Sequence, residues 1–366
     1  MKKIFLFIFL MSAIGLFAQN INKSKFRSSG SIHEQYQEQE PANPAGPLTT
    51  QWHRQAPSGL KGTTSVNPIA IGQSGNAWGF SYMRTTYLWA VNDINSISFI
   101  HRMENPPGTG FLAYDVSMDG GTTWSLNNQV YDPTLPDGFN ARYPQGFIYN
   151  PAGNTDPDNA YFSYFAPTLD GSNATTGGSN WGGYSWGSKK LADGAATTQT
   201  NYPSDNGFYH YLPSGFTLTQ LGEAWVVDEE NQGGGDEYVY TDNLIVGHGI
   251  WNDGIEDFEY SWEHLPLEIN PENGINDVKV AFSPDGMTGW ICALSDRIPA
   301  LDQTWYNPIL FKTTDGGQSW STDPIEVQFG GEDGLDAIKE FISDDVLEEF
   351  YAPEPVPSRD EIPYYM

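Results

Sequence analysis

A single cysteine, Cys292, stands in a chain of 366 residues. An intramolecular disulfide is thereby excluded, as is any cysteine-based zinc motif, so the fold must be held by its core. Basic residues are also few: 17 Lys and Arg face 46 Asp and Glu, a formal charge of −29. A surface of that sign repels nucleic acid and anionic lipid, which excludes both as partner classes. The six histidines are scattered without metal-ligand spacing, and no phosphate loop or Cys/His pairing occurs. Long apolar runs are missing too, apart from Ile4 to Phe17. That run follows Met1-Lys2-Lys3 and precedes Ala18-Gln19-Asn20, the layout of an export signal. It is too short to span a bilayer comfortably. Residues 1–18 are expected to be removed as a signal peptide. The product is then secreted or held at the outer cell surface, with no membrane insertion after signal removal.

What the chain has in quantity is glycine, proline and aromatics: 39 Gly, 25 Pro, and 14% Phe, Trp and Tyr. This composition predicts many short strands joined by turns. One turn is written twice. Ser117-Met118-Asp119-Gly120-Gly121-Thr122-Thr123-Trp124 returns as Thr313-Thr314-Asp315-Gly316-Gly317-Gln318-Ser319-Trp320, each copy after a strand-like run. Asp119 and Asp315 are placed to accept bonds from following backbone N–H groups, and Gly121 and Gly317 to take positive φ. The hydroxyls of Ser117 and Thr313 add a local bond, and Trp124 and Trp320 return along the outgoing strand into apolar contacts.

The octet resembles the Asp-box of the BNR-repeat, sialidase-like β-propellers, and with the export signal it is similar to secreted surface proteins of the Bacteroidetes type. The resemblance implies an all-β fold, a β-propeller of four-stranded antiparallel blades. It puts each Asp-box on the hairpin between third and fourth strands, on the face away from the ligand pocket. In that reading Ser117, Asp119, Gly121, Trp124, Thr313, Asp315, Gly317 and Trp320 are structural.

Along the chain, residues 19–65 read as a polar lead-in or linker and 66–329 as the blades. Residues 330–366 read as an acidic segment with a short helix, Asp333 its candidate N-cap. Runs such as Tyr87–Val91, Ser96–Ile100, Phe111–Val116 and Gln129–Tyr131 predict a first blade. A second is expected to end on Glu223–Val227, and a third to use Glu237–Tyr240, Leu244–Gly247 and Glu259–Trp262. A fourth covers Val278–Phe329, with Ser283–Trp290 as its inner hairpin. Four units are fewer than such a ring normally has, so the propeller is expected to be incomplete at its C-terminus, the last segment leading into missing blades.

Sialidase-like chemistry, which the resemblance implies, needs arginines that grip a carboxylate in bidentate fashion. Arg84, Arg102, Arg142 and Arg297 are available, and Arg297-Ile298-Pro299 echoes the family's Arg-Ile-Pro. A second constellation is His248, Trp251, Asp253, Glu256, Asp257 and Glu259, whose oxygens could serve hydrolysis or weakly hold Ca2+; no dedicated cofactor is expected. Trp181, Tyr184, Trp186 and Trp251 lie among glycine-rich turns, where ring faces can stack on sugars or fill the wedge between blades. The candidate ligand-binding residues are Arg142, Arg297, Trp181, Trp186 and Trp251, with no catalytic residue and no metal ligand assigned. The expected function is a non-catalytic scaffold that binds extracellular polysaccharide or a surface protein in adhesion or nutrient capture. A sialidase-like glycoside hydrolase and a purely structural repeat region remain the alternatives.

Overall fold

Consecutive apolar runs within a blade pair as antiparallel hairpins, most of them across connections shorter than the roughly dozen residues a parallel crossover needs. The computed structural model describes residues 68–75, 85–169 except 105 and 109, 182–232 except 193, 203–207 and 211, 239–267, 275, 277–295, 307–327, 343–353 and 355–356. All belong to one compact unit, Pro44–Met366. Its strands form four sheets, each laid down in sequence order from an inner to an outer strand.

The first blade comprises β1 (Leu88–Val91), β2 (Ser96–Arg102), β3 (Leu112–Ser117) and β4 (Ser125–Tyr131). The second comprises β5 (Gln145–Tyr149), β6 (Tyr161–Thr168), β7 (Gly183–Lys190) and β8 (Thr200–Tyr202). The third holds β10 (Gly215–Leu218), β11 (Ala224–Gln232), β12 (Val239–Asn252) and β13 (Asp257–Pro266), with β9 (Phe208–His210) added against β11. The fourth holds β14 (Asp277–Phe282), β15 (Gly289–Ser295), β16 (Asn307–Thr313) and β17 (Ile325–Glu326). The chain is thus an all-β propeller of four-stranded antiparallel blades.

Strand alternation decides which seam each residue fills. Tyr114 of the first blade stacks on Phe162 of the second, with centroids 4.0 Å apart. Ala224 and Val226 join Phe147, Phe165, Tyr184 and Phe258 between the second and third blades. Trp225 and Val227, one residue out of phase, join Ile291, Phe311 and Trp320 between the third and fourth. Every residue of β6 is buried because both of its faces meet a neighbouring blade. Full burial of one such side chain stabilises by about 1.5–3 kcal/mol, so the seams dominate stability.

The entrances to the inner strands are tied along one rim. Gly146 N–H donates to the carbonyl of Thr86 (3.0 Å), and Ser214 Oγ accepts from Val278 N–H (3.1 Å). Gln145 links three blades: its Oε1 accepts from Thr86 N–H (3.1 Å) and its Nε2 donates to Pro213 O (2.5 Å). Gln145 is fully buried, so Gln145→Leu leaves one donor and one acceptor without water or partner. A loss of about 2–4 kcal/mol is expected in urea unfolding, at the sum of two unmet groups; a change below about 0.5 kcal/mol, the range of neutral surface substitutions, would contradict the tie.

Two expectations are corrected. Ala224–Val227 does not end the second blade; it lies in the second strand of the third, paired with Gly215–Leu218. The four-residue β10 is short and half polar, which hid the hairpin. Leu244–Gly247 is not a separate strand but the middle of the 14-residue β12. Ser283–Trp290 spans the β14–β15 hairpin as expected. Beyond the blades, helix α1 (Asp344–Tyr351) starts after Ser343, with Asp344 and Asp345 suited to its positive end. Asp333 lies outside the described residues. No described helix is long and apolar enough to cross a membrane.

Candidate functional site

The propeller has two unlike faces. On the lower one, both repeated octets form the turn between third and fourth strands, β3–β4 and β16–β17. Four bonds recur at equivalent atoms in both. Ser117 Oγ donates to Asp119 Oδ1 (2.8 Å) and accepts from Gly121 N–H (2.7 Å). Thr313 Oγ1 does the same with Asp315 (2.7 Å) and Gly317 (2.9 Å). Asp119 also accepts from the N–H and hydroxyl of Thr123 (2.8 and 2.7 Å), and Asp315 from those of Ser319 (3.0 and 2.5 Å). Equivalence extends beyond the octet, to the inner hairpin of each blade. Gly120 N–H donates to Asn95 O (2.8 Å) and Gly316 N–H to Met287 O (2.9 Å). Each turn therefore staples an outer hairpin to an inner one.

These bonds lower both carboxyls from 3.8 to about 2, the hydroxyl of Thr123 or Ser319 contributing most. A folded value below the unfolded one means stability present above about pH 4 and lost as pH falls through about 2. The Asp119→Asn/Asp315→Asn double variant is expected to be less stable at neutral pH and to show a flatter acid limb over that window. An acid limb of unchanged slope would show that the carboxylates do not hold the turns.

The upper face, where the first and third strands of each blade begin and the second and fourth end, carries most of the buried ionisable groups among the described residues. Arg102 ends β2, Arg142 lies three residues before Gln145, where β5 begins, and both are buried. On β2 and β3, His101 Nε2 lies 3.3 Å from Asp115 Oδ1, and Asn127 N–H donates to that oxygen (2.7 Å).

The densest group lies between the second and third blades. β11 runs on past Val227, where β10 begins, through Asp228-Glu229-Glu230, and this overhang pairs with β9 and the first part of β12. The three acids are buried. Alternation directs Asp228 to the same seam as Val226, where Tyr184 Oη donates to its Oδ2 (2.5 Å). Its Oδ1 accepts from Glu229 N–H (2.8 Å). Glu230 Oε2 accepts from Asn243 Nδ2 (2.7 Å), and His264 Nδ1 lies 2.6 Å from Glu230 Oε1. Burial, then the charge of Asp228, push the Tyr184 hydroxyl well above its ordinary range, so it stays a donor.

Rings flank this wall. Trp262 lies nearly parallel to Tyr184 (5.4 Å, 21°) and to Tyr202 (5.5 Å, 18°). Trp262 and Tyr202 are half-exposed, and the His264 side chain is 55% exposed, so the seam opens to solvent beside the carboxylates. The seam thus sets a partly exposed ring pair, two buried carboxylates that accept hydrogen bonds and an exposed imidazole close together. Among the described residues, no three His, Cys, Asp or Glu side chains converge as a metal site requires.

The sequence-based candidates scatter around this cleft. Trp186 is buried behind it, with Nε1 donating to Phe258 O (3.0 Å) and its ring against Tyr260 and Trp262. It has no open face for a sugar. Trp251 is near the lower face, at the end of β12 and paired with Phe258 of β13, stacked on Tyr149 (4.2 Å, 27°) with Nε1 donating to Asp253 Oδ1 (2.9 Å). Arg142 Nη1 donates to the adjacent Ala141 carbonyl (2.9 Å), at the seam of the first and second blades. Arg297 and Trp181 lie outside the described residues. Gly183-Tyr184-Ser185-Trp186-Gly187 spells Gly-x-Ser-x-Gly, yet it lies within β7 and Ser185 Oγ donates to Thr200 O (2.8 Å), so it is no nucleophile elbow. Asp228, Glu230, Asn243, Trp262 and His264 were missed. The one available signal was an acidic triplet continuing an apolar strand.

No known protein family and no curated protein matches the sequence. Among solved structures, the chain is similar to a GH43 endo-arabinanase from Bacillus licheniformis, with 12% identity over 72% of this chain and 84% of that one, TM-score 0.34. It is similar to an α-L-arabinofuranosidase from Fusarium graminearum in complex with an iminosugar inhibitor, with 11% identity over 69% and 68%, TM-score 0.38. It is also similar to Trypanosoma rangeli sialidase in complex with sialic acid, with 13% identity over 66% of this chain and 37% of that one, TM-score 0.32.

Proposed function

We propose that the chain is an exported glycan-binding propeller whose ligand face is the upper one, with the cleft between the second and third blades as its site. In this reading the two stapled turns are Asp-boxes of the BNR type and serve only the scaffold. The observation that carries it is the half-exposed Trp262–Tyr202 pair standing beside hydrogen-bonded Asp228 and Glu230. A sugar presents a C–H face that packs on a ring and hydroxyls that donate to carboxylates, and this cleft supplies both. Stacking and hydrogen bonding suffice, so the reading requires no metal or cofactor. The partner is an extracellular polysaccharide, free or displayed on a surface protein.

A glycoside hydrolase is the second reading. Asp228 and Glu230 favour it: two buried carboxylates two positions apart on β11, the residue types that glycoside hydrolysis employs. Glycan-array binding by the full chain, with release of reducing sugar from each bound glycan, separates the two. Binding without release is expected, and Tyr184→Phe, which removes the donor to Asp228, is expected to weaken it about tenfold, the equivalent of about 1.4 kcal/mol. Release abolished by Asp228→Asn would establish the hydrolase; absence of binding to any glycan would end the present reading.

A further inference from the structure

We infer that the lower face is a docking surface for a polypeptide segment carrying basic and apolar side chains together. It is separate from the proposed glycan cleft and does not depend on it. An apolar ridge crosses three blades here. Trp251 of the third blade stacks on Tyr149 of the second (4.2 Å), and both are half-exposed. Gly222, in the β10–β11 turn, lies against the same ring, since a Cβ there would fall 2.9 Å from Tyr149 Cε2. The preceding Leu221 is 60% exposed and reaches over the β14–β15 turn of the fourth blade, where a Cβ on Gly286 would fall 2.6 Å from its Cδ1. Met287 follows, 46% exposed, with Sδ 4.0 Å from the Cβ position of Gly316 in the stapled turn beneath it. Apolar residues scattered singly on a surface signify little, but large ones from separate blades joined by such contacts mark an interaction site. The unbranched thioether of Met287 lets the ridge adapt to what covers it.

Charge around the ridge identifies the occupant. Each blade turns twice at this end, between its first and second strands and between its third and fourth. Every one of these turns contains Asp or Glu, and none contains Lys, Arg or His. Arg102 and Arg142 lie at the opposite end. Lys190 and Lys312, near strand ends on this side, lie over rings of their own blades, Tyr161 (5.8 Å) and Trp290 (5.3 Å). At the Trp251 end of the ridge, Asp253 accepts from the indole (2.9 Å) and Glu256 from Tyr161 Oη (2.8 Å), and both carboxylates are exposed. At the other end the exposed Asp285 accepts from Met287 N–H (3.0 Å). A second copy of this face, a nucleic acid or an anionic lipid surface would meet like charge here. A basic amphipathic segment meets opposite charge at the rim and apolar contact along the centre, the arrangement of an ordinary protein interface.

The test titrates the full chain with a short amphipathic helical peptide of Leu and Lys, beside one twin with Ala for Leu and another with Glu for Lys. The Leu/Lys peptide is expected to bind about tenfold tighter than either twin. Leu221→Asn/Met287→Asn is expected to weaken it about fivefold and Asp253→Asn/Glu256→Gln about threefold. Leu135, 47% exposed in the upper-face loop between β4 and β5, is the control, and Leu135→Asn is expected to leave binding unchanged. Equal affinity for the Ala twin, or an equal loss with Leu135→Asn, would show general attraction to an acidic chain and overturn the inference. Sedimentation as a dimer that Leu221→Asn/Met287→Asn dissociates would also overturn it, because the ridge would then take a second copy. Absence of peptide binding would end it as well. None of these outcomes bears on glycan binding, which the array reports separately.

Discussion

Trp320→Ala is expected to destabilise the chain by about 3–5 kcal/mol, the usual range for deleting a buried indole, whereas Trp124→Ala costs about 1 kcal/mol. The two tryptophans occupy the same position of the same octet, so sequence alone assigns them equal weight. Their surroundings differ. Trp320 is 8% exposed and meets Trp225 edge-on (5.8 Å, 84°) and Phe282 (6.0 Å, 72°) in the seam between the third and fourth blades. Trp124 is half-exposed and holds its own turn, its Nε1 donating to Gly121 O (3.2 Å). The fourth blade's turn packs on the third blade; the first blade's turn has no preceding blade beside it among the described residues. Equilibrium urea unfolding of both variants measures the difference, and equal losses would show that the seam does not distinguish the two turns.

The second large effect lies three residues earlier. Gly317 has φ +81°, and a Cβ added to it would fall 2.1 Å from Cη2 of Trp225. Trp225 is held against His248 (4.0 Å, 10°) and Phe282 (4.9 Å, 29°) and is fully buried, so it cannot retreat. Gly317→Ala therefore combines about 1–2 kcal/mol of left-handed strain with about 1–3 kcal/mol of overpacking. Gly121, at φ +90°, has only Ile97 Cδ1 at 3.7 Å from such a Cβ, an ordinary contact. Gly121→Ala should show the strain alone, about 1–2 kcal/mol. A melting temperature lowered equally by both substitutions would contradict the close packing of the fourth blade's turn on Trp225.

Much of the fold could be read from residues that act locally. The octets, the Ser283–Gly286 turn and the strands of the first and fourth blades depend on neighbours a few positions away, and the structure places them as expected. The second and third blades were harder. Gly215-Phe216-Thr217-Leu218 is too short to announce a strand, so the hairpin it makes with β11 was assigned to the wrong blade. That error also hid the site. Asp228-Glu229-Glu230 reads as a solvated strand end until β11 is known to continue with buried residues on both faces. Trp186 shows the converse: glycines on either side suggest exposure, while Phe165 and Tyr260 cover it from other strands. Burial of a polar or aromatic group depends on partners distant in sequence, such as Tyr184 for Asp228 or Phe258 for Trp186, and periodicity carries no trace of them.

The central claim is that ligand binds on the face opposite the stapled turns. Titration of the glycan that the array identifies, into Trp262→Ala and Trp251→Ala variants of the full chain, tests it most directly. Trp262→Ala is expected to weaken binding at least tenfold and Trp251→Ala to leave it within twofold of wild type; the reverse pattern would move the site to the lower face and contradict the account.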